Sequence, residues 1–255
     1  MDKIRLKLAI AYDGRNYAGW QFQKTGISVQ QKIEEVLKRY FPSHPQLVSS
    51  SRTDAGVHAL GMVAHMDLLK DEFRMEPRKM VLALNAYLPQ DIRIVSVSKC
   101  HKDFHARYDA KRKQYRYFVW NHPSMNPLLR NTAWQVPPAL DVEAMRRAAK
   151  LFIGKHDFRS FAASHAWMPE STVRTIMRCD IAKSGSLLTF IIEADGFLYK
   201  MCRGIVGTLV QVGRGKFAVA DIKTMLAAKK RAVAGMNAPA HGLVLWRVFY
   251  ARRSR

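Results

Sequence analysis

Acidic side chains are scarce in this sequence. Twenty Asp and Glu stand against 42 Lys and Arg over 255 residues, a formal net charge of +22. An enzyme of small substrates has no need of such an excess. A polyanion is attracted by it, and nucleic acid is the usual one. Cysteine is rarer still. Cys100, Cys179 and Cys202 are widely spaced, form no CxxC pair, and offer neither a disulfide framework nor a zinc site. That usage points to a reducing, cytoplasmic setting. No apolar run approaches the ~20 residues that span a bilayer, so no membrane association is expected. The alternation of basic and apolar residues in KIRLKLAIAYDGR near the N-terminus is not that of a signal peptide. Low-complexity segments are absent. Apolar residues are plentiful, at 48%. A chain this long and this apolar buries a large core, which excludes a disordered basic tail.

Hydrophobic periodicity orders the chain into strands and helices. Ile4, Leu6, Leu8 and Ile10 alternate with Lys3, Arg5, Lys7 and Ala9, so residues 3–11 read as a strand with one core face and one basic face. Ser28 and Gln31 fit a capping box before a helix over 28–41, with Val29, Ile33, Val36, Leu37 and Tyr40 as its apolar stripe. Residues 62–69 and 92–98 read as strands, and Pro77 opens a helix carrying Met80, Val81, Leu84 and Leu88. Further on, QYRYFVW at 114–120 is strongly β-prone. Asp141 caps a helix with Val142, Met145, Ala149 and Phe152, stopped by Gly154. Strands near 174–183 and 187–194, a helix near 198–212 and a strand over 243–250 complete the pattern. The fold class is α+β in two halves, 1–105 and 106–255, the boundary falling in the polar, basic stretch near 100–112.

The segment SSRTDAGVHA at 50–59 carries the most chemical information. It has no long apolar side chain before Val57, and Asp54 stands between Thr53 and the small pair Ala55-Gly56. Small neighbours let a large planar ligand approach the backbone and the carboxylate. Arg52 can pair with a carboxylate, contact phosphate, or fill the gap left by an extruded base. Taken alone, TDAG reads first as a surface turn with Asp54 as an Asx-turn former.

The rest of the chain decides between these. SRTDAGVHA occurs together with GWQFQ at 19–23, SVQ at 28–30, NAYLPQDI at 85–92, FHAR at 104–107 and KRKQYRYFVWN at 111–121. HDFRSF at 156–161, GFLYKMCRGIVGTLVQVGRGK at 196–216 and APAHGLVLWRV at 238–248 follow. In these segments, in this order and over nearly its whole length, the chain resembles the tRNA pseudouridine synthase A family. One departure is Ser51, where the family usually has Gly.

The resemblance implies a mixed, mostly antiparallel sheet across two similar halves, flanked by helices around a basic RNA-binding cleft. It implies an isomerase that converts uridine to pseudouridine at positions 38 to 40 of the tRNA anticodon arm. It also implies a homodimer, no metal and no cofactor. The net reaction exchanges a C1′–N1 bond for a C1′–C5 bond without gain or loss of electrons, so no redox cofactor is called for. By the same resemblance Asp54 is the nucleophile; attack at C1′, attack at C6 and assistance of elimination at C2′ are all open to it. Arg52 matches the arginine that helps extrude the target nucleotide, Tyr115 the tyrosine lying against the base, Arg203 the arginine paired with the carboxylate, and Leu245 an aliphatic residue packed on the base. Without the resemblance, Arg52 would read as a phosphate contact, Tyr115 as sheet packing and Leu245 as core.

Other signals read as structural. His101 and His105 lack a third zinc ligand, His58 shapes the loop, and Gly204 and Gly207 mark close packing. Basic clusters at 111–113, 146–147, 229–231 and 252–255 together suggest a broad surface that fixes register on RNA phosphates. The alternative is a tRNA-binding protein on the same fold without catalysis; Asp54 argues against it, because a carboxylate in a basic groove repels phosphate. A DNA-binding nucleoprotein has no zinc finger, zipper or helix-turn-helix pattern to support it.

Overall fold

The first strand shows how the alternating pattern becomes structure. In a computed structural model that describes residues 2–24, 26–163 and 170–251, β1 (Lys3–Tyr12) buries Leu6, Leu8, Ile10 and Tyr12 on one face. The chain continues with α1 (Val29–Tyr40), β2 (Val48–Ser49), β3 (His58–Leu69), α2 (Pro77–Tyr87), β4 (Ile92–Lys99), β5 (Ala110–Trp120) and β6 (Trp134–Gln135). Then follow α3 (Val142–Lys150), β7 (Gly154–Asp157), β8 (Val173–Ser184), β9 (Leu187–Ala194), α4 (Met201–Gly213), α5 (Asp221–Ala228) and β10 (Leu243–Tyr250). Among the described residues this is an α+β fold of ten strands and five α-helices, mixed and mostly antiparallel. The basic cluster at 252–255 lies outside the described residues.

Two compact units divide the chain: Met1–Lys111 with Leu245–Arg255, and Arg112–Val244. The last strand thus belongs largely to the first unit. In that unit the strand order is β4-β1-β3-β10, with β2 added on β3. β1 is antiparallel to both β3 and β4, with Leu8 opposite Ala64 and Val97. α1 is capped by Ser28, whose Oγ accepts from Gln31 N at 3.1 Å, and it buries Val29, Ile33, Val36 and Leu37. The basic face of β1 is put to structural use. Arg5 forms a two-pronged pair with Asp67 on β3, at 2.7 Å for each prong, and donates to Phe104 O at 2.9 Å. Lys7 lies over the rings of Phe104 and Tyr250. His65 accepts from Ala106 N at 3.1 Å, and burial, with Arg5 and His105 nearby, pushes its pKa down to about 4. These contacts seat the FHAR segment on the sheet.

The second unit has the order β5-β9-β8-β7, antiparallel throughout, with β6 added parallel to β5. α3 is capped by Asp141, whose Oδ1 accepts from Ala144 N at 2.8 Å, and packs on β8 and α4. Gly154 does not stop that helix: α3 ends at Lys150, and Gly154, at φ +113°, opens β7. α4 starts at Met201 rather than 198, because Lys200 sits in the left-handed region. At Gly207 a Cβ would overlap the carbonyl of Met236, so only glycine lets the 236–238 backbone lie on the helix.

Candidate active site

Asp54 sits in the loop between β2 and β3, and the loop backbone is held from several sides. Thr53 is buried. Its Oγ1 lies 2.8 Å from the Tyr12 hydroxyl at the end of β1, and its carbonyl accepts from Trp20 N at 3.1 Å. The Asp54 carbonyl accepts from Val57 N at 3.1 Å, closing a turn in which Gly56 has φ +78°. Gly19, at φ +102°, lies against this loop so closely that a Cβ there would come 2.5 Å from Thr53 O and 3.1 Å from the Asp54 carbonyl carbon. Trp20 is buried beside Tyr12, their ring centroids 5.9 Å apart. Asp54 is half-buried, with Arg52 and Ala55 exposed on either side. A carboxylate on a backbone braced in this way is preorganised and remains approachable.

Tyr12→Phe removes only the hydroxyl that holds Thr53. A hydrogen bond of this kind contributes about 1 kcal/mol. The variant is expected to fold and to lose roughly fivefold in any turnover that runs through Asp54. Steady-state kinetics check this, and an unchanged kcat would show that the Thr53 contact does not bear on Asp54.

A second brace lies at the other end of the loop. His58 Nδ1 is 3.2 Å from Gly14 N and 3.0 Å from Asp13 Oδ1. Burial works against the charge on Asp13, but hydrogen bonds from Arg15 outweigh it and hold that carboxyl below its usual range. Tyr17 donates to Asp91 at 2.6 Å, and Asp13 N to the Asp91 carbonyl at 2.9 Å. Asn85 exchanges two 2.9 Å hydrogen bonds with the backbone of Ile94. The NAYLPQDI segment thus supports the turn beside Asp54.

Arg52 reaches Gln21, Nη1 to Oε1 at 3.3 Å. Ser51 needs no glycine geometry, since its φ is not positive. Its hydroxyl is buried without a hydrogen-bond partner among the described residues, a placement that costs about 1–3 kcal/mol and that glycine would avoid. Leu245, in the same unit on β10, is fully buried.

Tyr115 and Arg203 lie in the second unit. Tyr115, on β5 opposite Ile192 of β9, is 7% exposed, and Phe197 meets it edge-on at 4.9 Å. Tyr117 points from the same face but serves the core: it is 1% exposed and its hydroxyl donates to Pro239 O at 2.8 Å. Burial raises its pKa, and the positive charge of Arg203 opposes the rise. Arg203, on α4, is thus near enough to Tyr117 for its charge to be felt there. Arg203 is half-buried, and its Nε donates to Ala238 O at 2.7 Å. That bond sets the direction of the guanidinium from the APAHG segment.

Sequence reasoning missed Tyr12, Asp13 and Gly19 as braces of the Asp54 loop. Gly19 lies in the GWQFQ match, where a glycine precedes a tryptophan; Tyr12 and Asp13 lie outside it. His101 and His105 stand in turns; His101 pairs with Asp103, and His105 packs on His65. Among the described residues no group of three or more His, Cys, Asp or Glu is placed to hold a metal ion, and no helix is long and apolar enough to cross a membrane.

Comparison with known proteins identifies the family. A family model described as tRNA pseudouridine synthase matches residues 8–109 and 148–251. A protein of Exiguobacterium sp. called tRNA pseudouridine synthase A is 45% identical over 248 residues, 97% of this chain and 98% of the relative. Proteins of the same name from Geobacillus kaustophilus and Thermoanaerobacter sp. are 44% and 41% identical, over 96% and 95% of this chain and 94% and 98% of their own. Among solved structures, a chain of a Cbf5-Nop10-Gar1 complex overlays at a TM-score of 0.40 and 12% identity, covering 94% of this chain and 48% of that one, too slight a likeness to weigh. Matched by one kind of protein along nearly its entire length, the chain belongs to the tRNA pseudouridine synthase A family, a family of isomerases.

Proposed function

We propose that this chain converts uridine to pseudouridine at positions 38 to 40 of the tRNA anticodon arm, with Asp54 as the nucleophile. The observation that carries this reading is the half-buried Asp54 carboxylate on a loop braced by Tyr12, Gly19 and Trp20. The reaction breaks C1′–N1 and forms C1′–C5; the C5 proton leaves and N1 gains one. A transient adduct with a carboxylate splits this into easier steps. By their match to the family, Arg52 is assigned to the gap left by the extruded nucleotide, Tyr115 and Leu245 to the base, and Arg203 to the carboxylate. No cofactor enters this scheme. The test is release of tritium from tRNA labelled at C5 of uridine. Tight binding without release would favour a non-catalytic tRNA-binding protein instead.

Affinity for tRNA is expected to fall steeply with salt, since each neutralised phosphate releases counterions. With six or more contacts the loss is about 10³-fold or greater between 50 and 200 mM. The +22 charge motivates this, and a nearly flat plot of log affinity against log salt would contradict it. We propose also that the active species is a homodimer in the cytoplasm, because a tRNA arm is long relative to one subunit. Light scattering that shows a fully active monomer at assay concentration would overturn the dimer.

A further inference from the structure

Among the described residues four aromatic side chains stand well out of the surface: Phe22, Tyr87, Tyr108 and Tyr199. Three of them have partners for their rings. Tyr87 meets Tyr40 and Arg39, Tyr108 stacks on His105 with Arg107 alongside, and Tyr199 lies under Lys200. Phe22, 61% exposed, has neither a ring nor a cation partner among the described residues. An unpartnered phenyl ring in water has lost the burial that ordinarily justifies a phenylalanine.

Its support is nevertheless rigid. Gly19 and Trp20, the residues just before it, are locked to the Asp54 loop and to the start of α1: Trp20 N donates to Thr53 O, Val29 N to Gly19 O at 3.1 Å, and Gln30 N to Trp20 O at 3.0 Å. Gln21, its immediate neighbour, holds Arg52 at 3.3 Å. Gln23, on its other side, donates to Ala18 O at 2.8 Å. The ring is thus displayed one residue beyond a contact to Arg52 and braced by the same backbone that presents Asp54. An aromatic face held in that position on a strongly basic chain matches a nucleobase, because every base has a π-face to stack on it.

We propose that Phe22 is a substrate-positioning residue that stacks on the RNA base next to the target uridine and holds the strand in place while that uridine is extruded. This rests on the function proposed above. Extrusion removes the target from between its neighbours, and the exposed ring replaces one of the stacking contacts that are lost.

The test is a double-mutant cycle on binding, with Asp54→Asn as the background so that turnover does not intervene. The probe is an unmodified full-length tRNA transcript with its target uridine at position 39. The second change removes the base at position 38, or at position 40, to leave an abasic nucleotide. Phe22→Ala is expected to weaken binding of the intact tRNA roughly tenfold. Loss of one of the two flanking bases is expected to weaken the chain with Phe22 by a similar factor, and to leave the Phe22→Ala chain unchanged within about twofold. Phe22→Leu, which keeps apolar bulk without a π-face, should bind like Phe22→Ala. Normal binding by Phe22→Ala or Phe22→Leu, or losses that multiply at both positions, would overturn the proposal. Wild-type tritium release from the same tRNA is read separately: its absence strikes the proposed function, whatever the outcome of the binding cycle.

Discussion

Asp54→Asn is expected to abolish tritium release from C5-labelled tRNA, by about 10³-fold or more, while tRNA binding stays near wild type or tightens. The amide has nearly the shape of the carboxylate but cannot act as an anionic nucleophile. Removing a negative charge that faces phosphate relieves a repulsion. The fold should persist, because the loop is held by backbone and neighbouring groups. Trp20 N on Thr53 O, Val57 N on Asp54 O and Tyr12 on Thr53 are all untouched by the change. Circular dichroism verifies that the variant is folded. A folded Asn variant with ordinary turnover would falsify the nucleophile assignment.

Tyr115→Leu is expected to be nearly inactive, and Tyr115→Phe to retain substantial turnover, within about tenfold of wild type. A ring against a flipped uracil contributes roughly 1–3 kcal/mol by analogy with base stacking on aromatic side chains, and the hydroxyl adds a smaller part by delivering or accepting a proton. The ring is set for this by Phe197, edge-on at 4.9 Å, and by its place opposite Ile192. Single-turnover rates on saturating tRNA separate the two contributions. Were the Phe variant as dead as the Leu variant, proton transfer would be the main role. A Leu variant with near-normal activity would return Tyr115 to sheet packing, the part its neighbour Tyr117 plays.

Much of the fold was legible because it is locally encoded. Alternation marked β1, a run of β-prone residues marked β5, and a capping serine with an apolar stripe marked α1. The missed elements have no such code. β7 is Gly-Lys-His-Asp, a polar tetrapeptide that is a strand only because β8 offers it hydrogen-bond partners from Ile176 to Val173. β2 and β6 are two residues each and exist for the same reason. α5 is eight residues long, with Ile222, Met225 and Leu226 as its short buried stripe, too little periodicity to stand out from its surroundings. Charge was misleading locally: Arg5 and Lys7 count toward the basic excess yet are engaged by Asp67, Phe104 and Tyr250 within the first unit.

By itself the sequence determined the family, the Asp54 loop and the order of most strands and helices. Each of those is written in contiguous residues, where side-chain period, caps and short motifs act over a few positions. Only the tertiary structure decided what holds the loop and which side chains are already committed. Tyr12 and Thr53 are 41 residues apart, and Gly14 and His58 are 44 apart, so no local pattern links them. Tyr115 and Tyr117 share one face of one strand, and only the carbonyl of Pro239, 122 residues from Tyr117, assigns the second to the core. Phe22 reads in sequence as one more hydrophobic residue. Its exposed ring, one residue beyond the Gln21 contact to Arg52, and the close approach of Gly19 to Thr53 are visible only in the folded backbone.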